Sequence, residues 1–391
     1  MRRNSIRALI ASSLLLAMAC DEAPGEDDAG GASPDAGDSP RDAATPPPRD
    51  GAVPLDDAGP PPEGVPTLVA IGKFGRITTS CDGGRTWPHD FSDDDSASCE
   101  GIDCDHHRGS ATGLTWGGGY FWASFGWGEP AMRVMRSADG VTWETMYDSA
   151  DQHFAGLAWA GDRLVGGTTQ PQWSTDGGMS FTGAEWPTWD VPEGEWPVGR
   201  QIGFAPVGGG RIAVVAGAGD GSWGAIIVSR DGGLTYSAAT VDADCRGYSR
   251  PPRFGGSAWV LPWAETGVLC TSVDGGETWT AARVADGEHL TNSIYTGSEH
   301  VVYAPTRAFR SPDGLTWTES ASDTDVGVVG YDPSSASYVA VLRNRSYDAQ
   351  RFLRSTDGGT WEELPAGAHV RGHPITHIAF GYGATDGACA P

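Results

Sequence analysis

One short phrase recurs seven times along the 391-residue chain. It reads SCDGGRTW at Ser80–Trp87, SADGVTW at Ser137–Trp143, STDGGMSF at Ser174–Phe181 and SRDGGLTY at Ser229–Tyr236. It returns as SVDGGETW at Ser272–Trp279, SPDGLTW at Ser311–Trp317 and STDGGTW at Ser355–Trp361. The aspartates, Asp82, Asp139, Asp176, Asp231, Asp274, Asp313 and Asp357, lie about forty to sixty residues apart. A repeat of that length, too short to be a domain, is one supersecondary unit that must bury its apolar face against its neighbours. The chain holds 57 Gly and 16 Trp, which suits short strands joined by tight turns with large rings between them.

The phrase has a physical task. A carboxylate accepts the amides of a tight turn, glycine supplies the positive φ, and the closing aromatic wedges between packed units. The copies at Asp139, Asp313 and Asp357 are one residue shorter, which implies a tighter turn of the same kind. Each turn is expected to join the third strand of a unit to the fourth. The period and the strand content predict an all-β fold, a seven-bladed β-propeller of four-stranded blades over residues 64–391. Blade 2, for example, is expected over Ala111–Gly117, Tyr120–Phe125, Ala131–Arg136 and Thr142–Tyr147, and the fourth strand of blade 3 over Ser180–Glu185. Blade 1 lacks a first strand ahead of Thr67–Ile71. The leftover Ile375–Gly381 is expected to complete it and to close the ring, which removes the open sheet edge.

The seven phrases resemble the Asp-box, or BNR repeat, of sialidases, sortilin-type receptors, xyloglucan-cleaving glycosidases and photosystem II assembly factors. The resemblance implies a sialidase-like-superfamily propeller. It does not by itself imply catalysis, because function belongs to a site and not to a fold. A sialidase would carry Arg-Ile-Pro on its first strand, and Arg76-Ile77 is followed here by Thr78 on a predicted third strand. The seven-blade count is nearest to the assembly-factor group. The function expected is a non-catalytic binding protein for a protein or glycan ligand. An exo-acting, sialidase-like glycoside hydrolase on surface or extracellular glycans is the rival.

The N-terminus reads as an export signal over residues 1–19. Arg2, Arg3 and Arg7 precede an apolar run too short to span a bilayer. Ala17-Met18-Ala19-Cys20 resembles a bacterial lipobox, which implies a lipid on Cys20 and a place in the cell envelope, in the outer membrane, periplasm or cell surface. Residues 20–63 are acidic and rich in Pro, Ala, Asp and Gly, with too little apolar surface to offset ordering entropy. They read as a disordered spacer. Net charge is -25, which excludes a phosphate-backbone partner, so nucleic acid is not expected.

Besides Cys20 there are six cysteines, an even count that suits disulfides in an exported chain. Spacing selects Cys99 with Cys104 in one loop, Cys245 with Cys270 around the fifth blade, and Cys81 with Cys389 across the ring closure. The loop Pro88–Ser110 carries Asp93, Asp94 and Asp95, whose oxygens suit calcium, and Cys99, Cys104, His106 and His107, whose donors suit zinc. Neither spacing matches a known loop motif, and no cofactor is expected, with calcium as the alternative. Loops on the face opposite the turns vary in length and composition, where recognition on a rigid scaffold usually resides. They bring together Trp127, Trp189, Trp223 and Trp263 with Arg200, Asp220, Glu265 and Arg343, the candidate ligand-binding residues. The Trp-rich Gly183–Arg200 loop contributes to this face.

Overall fold

A computed structural model of the chain describes residues 63–92, 109–126, 132–150, 154, 156–167, 170–187, 198–204, 212–217, 224–245, 251–263, 267–343, 351–365 and 374–389. Along 198–204, 212–217 and at 224 it describes the backbone alone. Among the described residues, the strands form seven sheets. The fold is an all-β β-propeller.

Sheet 1 holds β1 (Val65–Gly72), β2 (Ile77–Ser80) and β3 (His89–Phe91). Sheet 2 holds β4 (Ser110–Gly117), β5 (Tyr120–Gly126), β6 (Met132–Ser137) and β7 (Glu144–Ser149). Sheet 3 holds β8 (Leu157–Trp159), β9 (Leu164–Gly167), β10 (Pro171–Ser174) and β11 (Thr182–Gly183). Sheet 4 holds β12 (Val198–Phe204), β13 (Ile212–Gly217), β14 (Gly224–Ser229) and β15 (Ser237–Ala238). A two-residue β16 (Thr240–Val241) follows and joins sheet 5, which holds β17 (Arg253–Gly255), β18 (Ala258–Pro262), β19 (Val268–Ser272) and β20 (Thr278–Arg283). Sheet 6 holds β21 (Asn292–Tyr295), β22 (His300–Ala304), β23 (Arg307–Ser311) and β24 (Thr318–Ala321). Sheet 7 holds β25 (Val326–Asp332), β26 (Ser337–Leu342), β27 (Phe352–Ser355) and β28 (Glu362–Glu363). The last strand, β29 (Ile375–Gly383), returns to sheet 1 and pairs antiparallel with β1, with Val69 opposite Ala379.

Within each sheet, consecutive strands pair antiparallel, and burial varies with position. Second strands such as AWVLP of β18 and HVVYA of β22 are buried at every residue, because sheets cover both of their faces. Fourth strands such as β7 and β24 are polar and largely exposed. The first strands touch one another in succession: β29 with β4, β4 with β8, β8 with β12, β12 with β17, β17 with β21, β21 with β25, and β25 with β29.

The apolar core is divided between sheets. Trp259, Leu261 and Trp279 of sheet 5 pack on Ile226 and Val228 of sheet 4. Leu68, Ala70 and Trp87 of sheet 1 pack on Val339, Val341 and Phe352 of sheet 7, where Trp87 stacks on Phe352 with ring centroids 4.2 Å apart. Full burial of one such ring contributes about 1.5–3 kcal/mol.

Two expectations need correction. The fourth strand of sheet 3 is Thr182–Gly183 and not Ser180–Glu185. The chain leaves the sheet there, and Glu185 bridges in parallel to Thr235 of sheet 4. β16 was also not foreseen; it lies parallel to β20, pairing Thr240 with Thr278. Both segments are too short and too polar to stand out as strands in the sequence.

Candidate functional site

The recurring turns come first, because they decide whether the seven aspartates are available for chemistry. In the turn of sheet 5, Asp274 Oδ1 accepts the amides of Glu277 and Thr278 and the Ser272 hydroxyl, while Oδ2 accepts the Thr278 hydroxyl. Ser272 Oγ in turn accepts the Gly276 amide. The same set recurs around Asp82, Asp176 and Asp231. The eight-residue turns need two consecutive left-handed glycines, as at Gly275 and Gly276 with φ of 84 and 97. The seven-residue turns need one, Gly140, Gly314 or Gly358. In those short turns the carboxylate accepts the amides two and three residues on, as Asp313 does from Leu315 and Thr316.

These bonds stabilise the charged carboxylate. The Ser180 hydroxyl, with further bonds from the turn, holds Asp176 down to about 2, and the amides of Thr316 and Leu315 hold Asp313 down to about 2. At Asp82, Asp139, Asp231 and Asp274, burial pushes the pKa up, yet hydrogen bonds from the turn outweigh it and the net shift is downward. A carboxylate that is ionised and saturated by its own loop is a poor proton donor and has little capacity left for a metal or substrate.

The turns also touch the sheet before them. The residue preceding the serine reaches the next turn's carbonyls: Thr79 donates to Gly140, Thr271 to Gly314, Arg310 to Asp357 and Arg354 to Gly83. The last of these links sheet 7 to sheet 1. The disulfide Cys81–Cys389 lies at the same place and ties the turn of sheet 1 to the chain after β29. A second disulfide, Cys245–Cys270, joins the chain entering sheet 5 to β19.

Of the candidate ligand-binding residues, Trp263 is corrected. It is 1% exposed in the core between sheets 4 and 5, and its indole N–H donates to Cys270 Sγ. Pro262 precedes it and its own amide donates to Val268, so the ring turns inward at the end of β18. Arg343 sits half-buried after β26 with Asp325 at 3.9 Å. The backbone of Arg200 lies on β12. Trp127, Trp189, Trp223, Asp220 and Glu265 lie outside the described residues, as do Cys20, the pair Cys99 and Cys104, and the acidic triplet Asp93, Asp94 and Asp95. Among the described residues, no three His, Cys, Asp or Glu side chains converge as metal ligands.

Arg76, the nearest match to a sialidase arginine, is fully buried and bound to Asp90. Its Nε donates to Oδ1 at 3.0 Å and Nη2 to Oδ2 at 2.9 Å, with both side chains inaccessible to solvent. It is committed to a structural pair and cannot meet a substrate carboxylate.

The sequence reading did not single out two features. Arg253 stands on β17, where desolvation lowers its pKa. Its charge also reaches His377 on β29, which burial first and Arg253 second bring down to about 4. Arg253 and His377 stand on the first strands of sheets 5 and 1, and only the assembled fold lets the charge of one act on the other. The other is a cavity of about 460 Å3 between sheets 1 and 2, lined by Pro88, Phe91, Val141 and Trp143 among others.

No protein-family model matches the chain, and no curated protein sequence does. Solved structures are similar in fold. YCF48 bound to a D1 peptide is 21% identical, with 65% of this chain aligned to 81% of that chain at a TM-score of 0.46. The GH74 xyloglucanase from Xanthomonas campestris is 14% identical, 81% of this chain against 52% of that one, at 0.49. PorZ, a bacterial surface component of the type-IX secretion system of Porphyromonas gingivalis, is 11% identical, 78% against 40%, at 0.47.

Proposed function

We propose that the chain is an exported, lipid-anchored binding protein without catalytic activity. Its seven sheets are the blades of an Asp-box propeller closed by β29, and it holds a protein or glycan ligand. The observation that carries the non-catalytic reading is the state of the carboxylates. All seven repeated aspartates are held by their own turns, and Asp90 is locked to Arg76. A retaining or inverting glycosidase needs one carboxylic acid with a raised pKa beside a second carboxylate, and among the described residues every Asp whose pKa departs from its ordinary value departs downward.

The ligand-binding surface is proposed on the face opposite the turns, with Trp127, Trp189, Trp223, Arg200, Asp220, Glu265 and Arg343 as its candidates. The seven turns are nearly uniform and structural, whereas the opposite loops vary in length and composition. The reading of the ring as seven blades is supported by the succession of first-strand contacts and by the bond from Arg354 to Gly83. The anchor is proposed on Cys20, behind the apolar run and ahead of the acidic spacer.

A panel of aryl glycosides that includes a sialoside tests the catalytic half. No turnover is expected, and turnover abolished by one Asp or Glu substitution would overturn the reading. An envelope-protein capture screen run beside a glycan array tests the other half. Trp223→Ala is expected to weaken the captured partner by about tenfold or more with the melting temperature unchanged. For the anchor, Cys20→Ser is expected to release the protein from the membrane fraction.

A further inference from the structure

Aspartate followed by glycine is the pair of residues most open to succinimide formation. The glycine nitrogen attacks the side-chain carboxyl carbon of the aspartate, a five-membered imide closes, and one water leaves. Water then opens either imide carbonyl and gives aspartate or isoaspartate, in which the main chain runs through the side-chain carbon. Glycine favours the step because no Cβ shields its nitrogen. The repeated phrase writes this pair into all seven turns. It occurs again at Asp50-Gly51, Asp220-Gly221, Asp286-Gly287 and Asp386-Gly387, of which the first two lie outside the described residues.

The turns oppose each requirement of that reaction. The attack needs a neutral carboxyl, because an ionised one is a poor electrophile. Bonds within the turn hold Asp176 and Asp313 down to about 2 against the ordinary 3.8, which lowers the neutral fraction above pH 4 by roughly fiftyfold. The attack also needs the carboxyl to swing onto the next nitrogen. Asp274 Oδ1 is held by the Glu277 and Thr278 amides, so its carboxyl cannot reach the Gly275 nitrogen without breaking those bonds. In two of the short turns the nitrogen itself is occupied: the Gly140 amide donates to Ser137 Oγ, and the Gly358 amide to Ser355 Oγ. Outside the turns, the Gly387 amide donates to the Ala384 carbonyl. Gly387 is also pressed against the turn of sheet 2, where a Cβ on it would lie 2.4 Å from Asp139 Cβ.

Asp286-Gly287, in the linker from β20 to β21, has none of these restraints. Both residues are exposed, and among the described residues nothing bonds to the Asp286 carboxylate or to the Gly287 amide. Gly287 has a left-handed φ of 65, and a Cβ placed on it would meet nothing within 4 Å. The chain on either side is pinned. The Val284 and Ala285 amides donate to the Gly267 carbonyl, and Ala285 and Leu290 are buried between sheets 5 and 6. We propose that Asp286 is, among the described residues, the site at which this chain forms succinimide and isoaspartate, and that the recurring turn protects the Asp-Gly pair it is built on. Isoaspartate at this position adds one carbon to the main chain between Ala285 and Glu288, which pairs with Arg307 at the start of β23. The modification therefore falls on the tie between sheets 5 and 6, and it does not depend on what the propeller binds.

The test ages the folded full chain in heavy-oxygen water near neutral pH. Opening of an imide leaves one heavy oxygen on the aspartate that formed it, which mass spectrometry reads peptide by peptide. Methylation by an isoaspartyl methyltransferase scores the isomer. Label at Asp286 is expected to exceed that at each turn aspartate and at Asp386 by about tenfold or more. Asp286→Glu keeps the charge but needs a six-membered imide, and is expected to abolish the label on that peptide with the melting temperature unchanged. In guanidinium with the disulfides reduced, the turn aspartates are expected to label as fast as Asp286. Label in the folded chain no higher at Asp286 than in the turns would overturn the proposal. So would label that survives Asp286→Glu, or turn aspartates that stay unlabelled after unfolding.

Discussion

The aspartate of each turn works through geometry. Asp274 joins four donors from its own loop, so removing the carboxylate leaves the Glu277 and Thr278 amides without their acceptor. Loss of such a partner costs about 1–3 kcal/mol. Asp274→Ala is therefore expected to lower the melting temperature by several degrees while leaving ligand affinity intact, which paired calorimetry and binding assays would check. The pH dependence has a fixed sign. Asp176 has a folded pKa of about 2 against the ordinary 3.8, so its contribution is present above about 4 and is lost as pH falls towards 2. His300 acts higher on the scale. It is buried on β22, its Nε2–H donates to the Gly255 carbonyl at 3.0 Å, and burial lowers its pKa to about 4 from 6.5. The unfolded chain then binds the proton more readily, so stability is full above 6.5 and falls as pH drops from 6.5 to 4. His300→Gln is expected to flatten that part of a denaturation-midpoint curve; an unchanged slope would rule out His300 as its source. At this scale the turn chemistry was legible, because Ser, Asp, Gly and Thr at fixed offsets leave few other arrangements. Burial of Trp263 was not legible, because a Trp after Pro262 in a short loop reads alike whether its ring turns in or out.

Strand existence could be read from the sequence, and strand length at the outer edge could not. Inner and middle strands such as YFWASFG and SYVAVL are apolar at nearly every position, as burial on both faces requires. Fourth strands mix polar residues with a few apolar ones, as TWTAAR of β20 and ETMYDS of β7 do, so little in their composition marks where pairing stops. Yet their length decides the route of the chain: two residues at β15 send it across to sheet 5, and six at β20 keep it on its own sheet. The crossing β16 depends on the Thr240 amide, which donates to the Glu277 carbonyl. Thr240→Pro removes that donor, and proline in a paired strand is poorly tolerated. The variant is expected to lose a few degrees of thermal stability and to speed amide exchange at Asp242, whose N–H bonds Trp279, with exchange in sheet 7 unchanged. Faster exchange throughout the molecule would show that the crossing segment stabilises more than its own edge.

At the scale of the whole molecule, the seven turns and the surplus strand announced a repeat that must meet its own beginning, while the influence of Arg253 on His377 joins two strands far apart in sequence, which no local pattern encodes. The pairing of β29 with β1 holds together parts of the chain that are distant in sequence. β29 pairs with β1 from Val65 opposite Gly383 to Gly72 opposite Ile375, and the Ala384 amide donates to the Ala138 carbonyl in the turn of sheet 2. Cys81–Cys389 then joins residues 308 apart in sequence. A crosslink that closes so long a loop restricts the unfolded chain, and stabilisation of about 2–5 kcal/mol is expected from it. The bond sits at the end of β29, so its loss should loosen that strand before any other. Cys389→Ser is expected to lower the melting temperature, to raise amide exchange along β29 and β1 first, and to leave β18 and β19 protected until global unfolding. Exchange at β29 that matches the disulfide-bonded protein, with the melting temperature also unchanged, would mean that the antiparallel pairing with β1 holds β29 in place alone.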